Sequence, residues 1–162
     1  ILEEIERGFD TIRQMNQFAH SVDDPVRETS IADTLALAVK LTGFLSYAGK
    51  AHIQDSPAGD ITVFTSPFLF QALVYKTLCA LYKAMDTKEE LTIAYRADDP
   101  SGITLVFSCD GSLDLKDFPD PKTADVADAL KAAFTIKETA LELTMPGDND
   151  GLKAALADGQ TP

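Results

Sequence analysis

Cations are scarce in this chain: 14 lysines and arginines stand against 26 aspartates and glutamates, a formal net charge of −12. A surface this acidic repels phosphate backbones, which argues against nucleic acid as a partner and disfavours an anionic membrane. Long apolar runs are also missing, and none approaches the length of a membrane-crossing helix. Tryptophan is absent, and there are two cysteines and two histidines. Cys79 and Cys109 lie far apart, with no CxxC and no Cys/His cluster, so neither a disulfide framework nor a metal site is expected. They read as buried free thiols in a reducing cytoplasm. Nor do the glycines gather with basic residues into a phosphate cradle.

What is present suits one compact domain, with room for a helical arm, in 162 residues that are 45% hydrophobic. From Leu2 to Val22 apolar residues fall at Leu2, Ile5, Phe9, Ile12, Met15 and Ala19, the stripe of an amphipathic helix. Glu3, Glu4, Glu6, Arg7, Asp10 and Arg13 occupy its other side. Pro25 and the charges from Asp23 to Thr29 break it. Ser30 with Asp33 forms a capping-box-like start for a second helix, expected to run to about Ala48 and stop at Gly49.

A short strand is expected at His52 to Gln54, followed by a turn-rich loop with Pro57 and Gly59. Ile61 to Thr65 is β-branched and aromatic, hence a strand. Ser66-Pro67 is a strong helix start, and that helix should reach about Met85. Leu91 to Arg96 and Gly102 to Cys109 read as a hairpin. An acidic loop from Asp110 to Pro121 precedes a helix from Thr123 to Ala133, capped by Thr123. Phe134 to Lys137 and Ala140 to Met145 form a last hairpin. From Gly147 to Pro162 a polar, mobile tail is expected. Hairpins with helices between them imply an α+β sandwich, a mixed β-sheet covered on one face by helices.

Several segments resemble the C-terminal part of sensor histidine kinases. Met15-Asn16-Gln17-Phe18-Ala19-His20 is similar to the end of that family's second dimerisation helix. Thr29 to Leu35 resembles the start of the helix leading into its ATPase-like domain, and Ile61 to Leu73 the strand and helix start before its Asn-bearing helix. Ile103 to Gly111 looks like the strand that ends in its first glycine box, and Ala140 to Pro146 like its last strand. The resemblance implies three parts: a dimerisation-like helical arm and linker (1–29), a degenerate histidine-kinase ATPase-like domain (30–146) and a flexible acidic tail (147–162).

It also implies where a nucleotide site would lie. The family places a base and, four residues later, a magnesium-binding Asn on one helix face; four residues is one turn, so both point the same way. Those positions fall on Tyr75 and Cys79, and neither is the hard oxygen ligand that magnesium prefers. Alternation along Ile103, Leu105 and Phe107 puts Cys109 at the adenine-reading Asp, Gly111 at the first box glycine and Leu113 at the second. The lid's glycine box has no counterpart; Asp114, Asp117 and Asp120 stand there and oppose anion binding. The expectation is therefore no catalytic residue, no cofactor and no metal: a non-catalytic two-component module in the bacterial cytoplasm. It would dimerise through the N-terminal helix and dock a response regulator or a kinase.

Two alternatives carry their own residues. His20, followed by Pro25 and Val26, could accept phosphate from a receiver domain as a histidine phosphotransfer protein, since a neutral imidazole on an exposed helix is a competent nucleophile; the plainer reading is a solvated histidine near a helix end. A divergent kinase fragment that still binds ATP is the other. His52 reads as a surface or edge-strand residue, Ser46-Tyr47 as packing, and Asp98-Asp99 as a solvated acidic turn.

Overall fold

The computed structural model of the chain describes residues 26–43, 50–57, 59–85, 89–98 and 102–148. The expected N-terminal arm with His20, the Ser46-Tyr47 pair, the Asp99 part of the acidic turn, and the tail from Asn149 onward lie outside the described residues. In chain order the elements are β1 (Arg27–Ser30), α1 (Ile31–Leu41), β2 (Lys50–Ile53), β3 (Thr62–Thr65), α2 (Pro67–Ala84), β4 (Glu90–Asp98), β5 (Gly102–Ser108), α3 (Pro121–Ala129), β6 (Ala133–Ile136) and β7 (Ala140–Pro146).

Period-two patterning builds the main sheet. Its order is β2-β4-β5-β7-β6, with β2 parallel to β4 and every other pair antiparallel. The register sets Ile93 opposite Phe107 and Leu105 opposite Leu143, so apolar residues share one face. Leu91, Ile93, Leu105, Phe107, Leu141 and Leu143 are fully buried there. The helices supply the cover: Phe70, Leu73, Val74, Leu78 and Leu81 of α2 and Ile31, Leu35 and Ala38 of α1 join the same core. This is the α+β arrangement the patterning implies.

Caps fix the helix starts. The Ser30 hydroxyl accepts from Asp33 N–H at 3.1 Å and donates to the Asp60 carboxylate at 2.8 Å, so it caps α1 and ties down the loop before β3. Ser66 accepts from Leu69 N–H at 3.2 Å, with Pro67 at the first helical position of α2. Across the two helices, Gln71 Nε2 donates to Thr34 O at 3.1 Å, which gives a buried amide a partner.

The structure corrects several boundaries. Arg27–Ser30 is a strand rather than a linker; it pairs antiparallel with β3 in a separate two-stranded sheet. Helix α1 ends at Leu41, short of Ala48, with Thr42 as its C-cap; the Thr42 amide and hydroxyl both donate to Ala38 O. The cap of α3 is Asp120, not Thr123. Asp120 accepts from both the amide and the hydroxyl of Thr123, and Pro121 takes the first helical position. Gly147 and Asp148 belong to the fold: Phe64 N–H donates to Gly147 O at 2.9 Å, and Asp148 bridges to Phe64 in parallel. Cys79 and Cys109 are free thiols, and both are half-buried rather than enclosed.

Helix α3 closes with a Schellman motif. Ala132 N–H reaches Ala127 O at 2.8 Å and Lys131 N–H reaches Asp128 O at 3.1 Å. The motif needs a left-handed residue, and Lys131 serves at φ 56°, where a β-carbon is unfavourable. Lys131→Gly should therefore stabilise the fold by about 0.5–1 kcal/mol. Phe107→Ala, which empties a fully buried site at the centre of the sheet, should cost about 3–5 kcal/mol. Urea unfolding midpoints at constant m-value read both.

Candidate functional site

A cavity of about 630 Å³ opens between α2 and the acidic loop that leads into α3. Tyr75, Lys76, Cys79, Ala80 and Lys83 of α2 form one wall. Asp114, Leu115, Lys116, Asp117, Phe118, Asp120 and Thr123 form the other. The helix wall exists because positions 75, 76, 79, 80 and 83 recur at three- and four-residue steps, on the side of α2 facing away from the sheet. The loop wall is held from beneath. Leu113 and Leu115 are buried in the core, and Leu113 N–H donates to Glu138 O at 2.9 Å. Phe118 stands edge-on to Phe134 of β6, ring centroids 4.8 Å apart.

Tyr75 and Cys79 are partners across one helical turn. Burial, with the neighbouring Cys79 adding to it, pushes Tyr75 up to about 12. Burial also raises the Cys79 thiol, against the opposing pull of the Tyr75 hydrogen bond, Lys83 and Lys76. Neither group is an anion at neutral pH. Thr123 holds the Asp120 carboxylate below its usual range through its hydroxyl, with help from its amide and from Lys76. That carboxylate occupies the start of α3, where helix amides would otherwise meet a bound anion.

Of the five positions at which the resemblance places a nucleotide site, Tyr75 and Cys79 line the cavity. Cys109, Gly111 and Leu113 do not. They follow one another along the loop that leaves β5, and Leu113 is part of the core. Gly111 lies under the Glu89 side chain, whose Oε1 stands where a β-carbon would be. The Cys109 thiol donates to Gly111 O at 3.0 Å. Burial raises that thiol, and the carboxylates of Glu89 and Asp110 add to the effect, partly offset by the hydrogen bond to Gly111.

His52 is exposed on the edge strand β2. Asp98 accepts from the Thr104 hydroxyl and pairs with Arg96 at 3.2 Å. No group of three or more histidine, cysteine or acidic side chains placed to hold a metal ion is found among the described residues. No helix among them is long and apolar enough to cross a membrane.

Lys76 and Lys83 are among the cavity residues that were not singled out from the sequence. Their signal was spacing alone: seven residues apart, they share a helix face with Tyr75 and Cys79.

No family model and no curated protein matches the sequence. Solved structures do match in three dimensions. A mycobacterial sensor histidine kinase, MprB, superposes with a TM-score of 0.62 at 13% identity, over 76% of this chain and 98% of that one. The Acinetobacter baumannii histidine kinase AdeS gives 0.64 at 8% identity, over 87% and 77%. The histidine kinase domain of the Erythrobacter litoralis blue-light activated kinase EL346 gives 0.62 at 13%, over 96% and 79%. The fold is that of histidine-kinase catalytic domains. At these identities the likeness concerns the backbone and not the chemistry of the side chains.

Two titrations check the site. The raised Tyr75 phenol keeps its proton in the folded chain while an unfolded tyrosine loses it near pH 10. Its contribution to stability is thus complete below that pH and lost as pH rises towards about 12. Cys79→Ala, by removing a neighbour that raises Tyr75, should bring the phenolate absorbance transition to lower pH. In a Cys79→Ser background, Glu89→Gln should lower the pH midpoint of Cys109 alkylation, because one of the carboxylates raising that thiol is gone. An unmoved midpoint would place Glu89 away from the thiol in solution.

Proposed function

We propose that this chain is a non-catalytic module of a bacterial two-component system: a histidine-kinase-like body that has lost its ATP site and serves as a scaffold or regulator-docking domain. One observation carries the reading. Tyr75 and Cys79, which the resemblance sets at the kinase family's base and magnesium-binding Asn, line the cavity one helical turn apart. A phenol and a thiol that both keep their protons offer magnesium no hard anionic oxygen.

The opposite wall argues the same way. Asp114, Asp117 and Asp120 face the volume that a triphosphate would need, and like charges across a cleft cost binding free energy. Glu89 covers Gly111, the residue at the first box glycine, so a base approaching that backbone would have to displace a carboxylate. In this reading residues 1–29 form a helical arm through which two copies pair, 30–146 the degenerate ATPase-like domain, and 147–162 an acidic tail. The partner is a response regulator or a kinase domain in the cytoplasm. The net charge of −12 disfavours nucleic acid.

A thermal-shift titration of the whole chain with ATP and magnesium at millimolar concentration tests this. Any ligand at a hundred times its Kd stabilises the native state by about 2.7 kcal/mol through mass action, a rise of several degrees in Tm. The expected result is no rise. A saturable, magnesium-dependent rise would mean that the nucleotide site is still in use and would overturn the reading.

A further inference from the structure

The cavity has two walls of opposite sign. Lys76 and Lys83 rise from one face of α2, and Asp114, Asp117 and Asp120 come from the loop across from them. Across the gap the charges form no ion pair, although Lys76 acts on the Asp120 carboxylate. Among the described residues neither Lys76 nor Lys83 is in an ion pair, and Asp117 has none either. Asp120 is committed to capping α3, and Asp114 lies 4.0 Å from Lys116 on its own side of the gap. That leaves two cations on the helix wall and one carboxylate on the loop wall. Leu115, Ala80 and Phe118 supply apolar lining between them. A volume of about 630 Å³ lies within the range of small-molecule sites.

A ligand of uniform charge can satisfy only one of these walls. A polyanion would pair with the lysines and be repelled by the loop, and a polycation the reverse. A molecule with an acidic group at one end, an ammonium at the other and an aliphatic body between them complements both walls and the apolar lining.

We propose that this cavity binds a small zwitterion, its carboxylate held by Lys76 and Lys83 and its ammonium by Asp117. The proposal rests on the reading that the ATP site is lost, since a resident nucleotide would fill the same space. It needs no metal. The charges involved are open to water, so each pair contributes modestly and the Kd should be roughly millimolar.

Ligand-observed saturation-transfer NMR on the whole chain tests it, with γ-aminobutyrate and ε-aminocaproate as probes. Butyrate, caproate, butylammonium and hexylammonium serve as singly charged controls of matched length. At least one zwitterion should bind saturably and several-fold more tightly than both of its controls. Lys83→Gln and Asp117→Asn, both at exposed positions, should each weaken it by about two- to fivefold while leaving Tm unchanged. Equal binding of the controls, insensitivity to both variants, or no saturable binding would overturn the proposal. Repeating the titration with ATP and magnesium separates the two ideas. Absence of both ligands from the cavity sinks the zwitterion site alone. Saturable binding of magnesium-bound ATP with no zwitterion binding sinks the reading of a lost nucleotide site and this proposal with it.

Discussion

The buried contact between α2 and the inner face of the β4-β5-β7 strands governs the rest of this molecule. Phe70, Leu73, Val74, Leu78 and Leu81 lie against Ile93, Leu105, Phe107 and Leu143, all without solvent exposure. Burying such side chains supplies most of the driving force for folding, and it also fixes the rotation of α2 about its axis. Once that apolar stripe faces the sheet, the residues between its members have one place to go. Tyr75, Lys76, Cys79 and Lys83 are turned towards the loop before α3, and the cavity is the space left between them. The chemistry of the site is thus a by-product of packing geometry, and substitution there can change function at little cost to the fold.

This separation explains how a backbone fold can be shared with solved histidine-kinase domains at only 8–13% sequence identity. The inner face of the sheet tolerates only apolar residues of suitable volume. The cavity wall is under no such constraint. Tyr75 and Cys79 satisfy each other, Asp120 satisfies the start of α3, and no polar group there requires a ligand for the domain to stand.

Much of the architecture was legible in the chain because its signals are local. Ser66-Pro67 announces α2 by cap chemistry, Ser30 announces α1, and the alternation of Ile103, Leu105 and Phe107 orients β5. What the chain hid depends on distant partners. Arg27–Ser30 has no strand-like pattern and is extended because β3 lies beside it. Helix α1 stops at Leu41, with Thr42 as its C-cap, before the Gly49 that the sequence offered as its stop. The sequence offered Thr123 as the cap of α3; with Pro121 at the first helical position, the cap is Asp120. In the site, Tyr75 and Cys79 were singled out through the family resemblance, whereas the covering of Gly111 by Glu89 joins residues far apart in sequence and shows only in the folded chain. The paired lysines were passed over because single charges on a helix usually mean nothing beyond solubility.

The two-stranded sheet joins three distant parts of the chain: β1, β3, and the Gly147-Asp148 pair that hydrogen-bonds to Phe64. Strand β3 ends at Thr65, and the next residue, Ser66, caps α2. No slack separates the strand from the helix. The first turn of α2 is therefore anchored to residues from both ends of the described chain, since β1 and Gly147 hold the strand from which it starts.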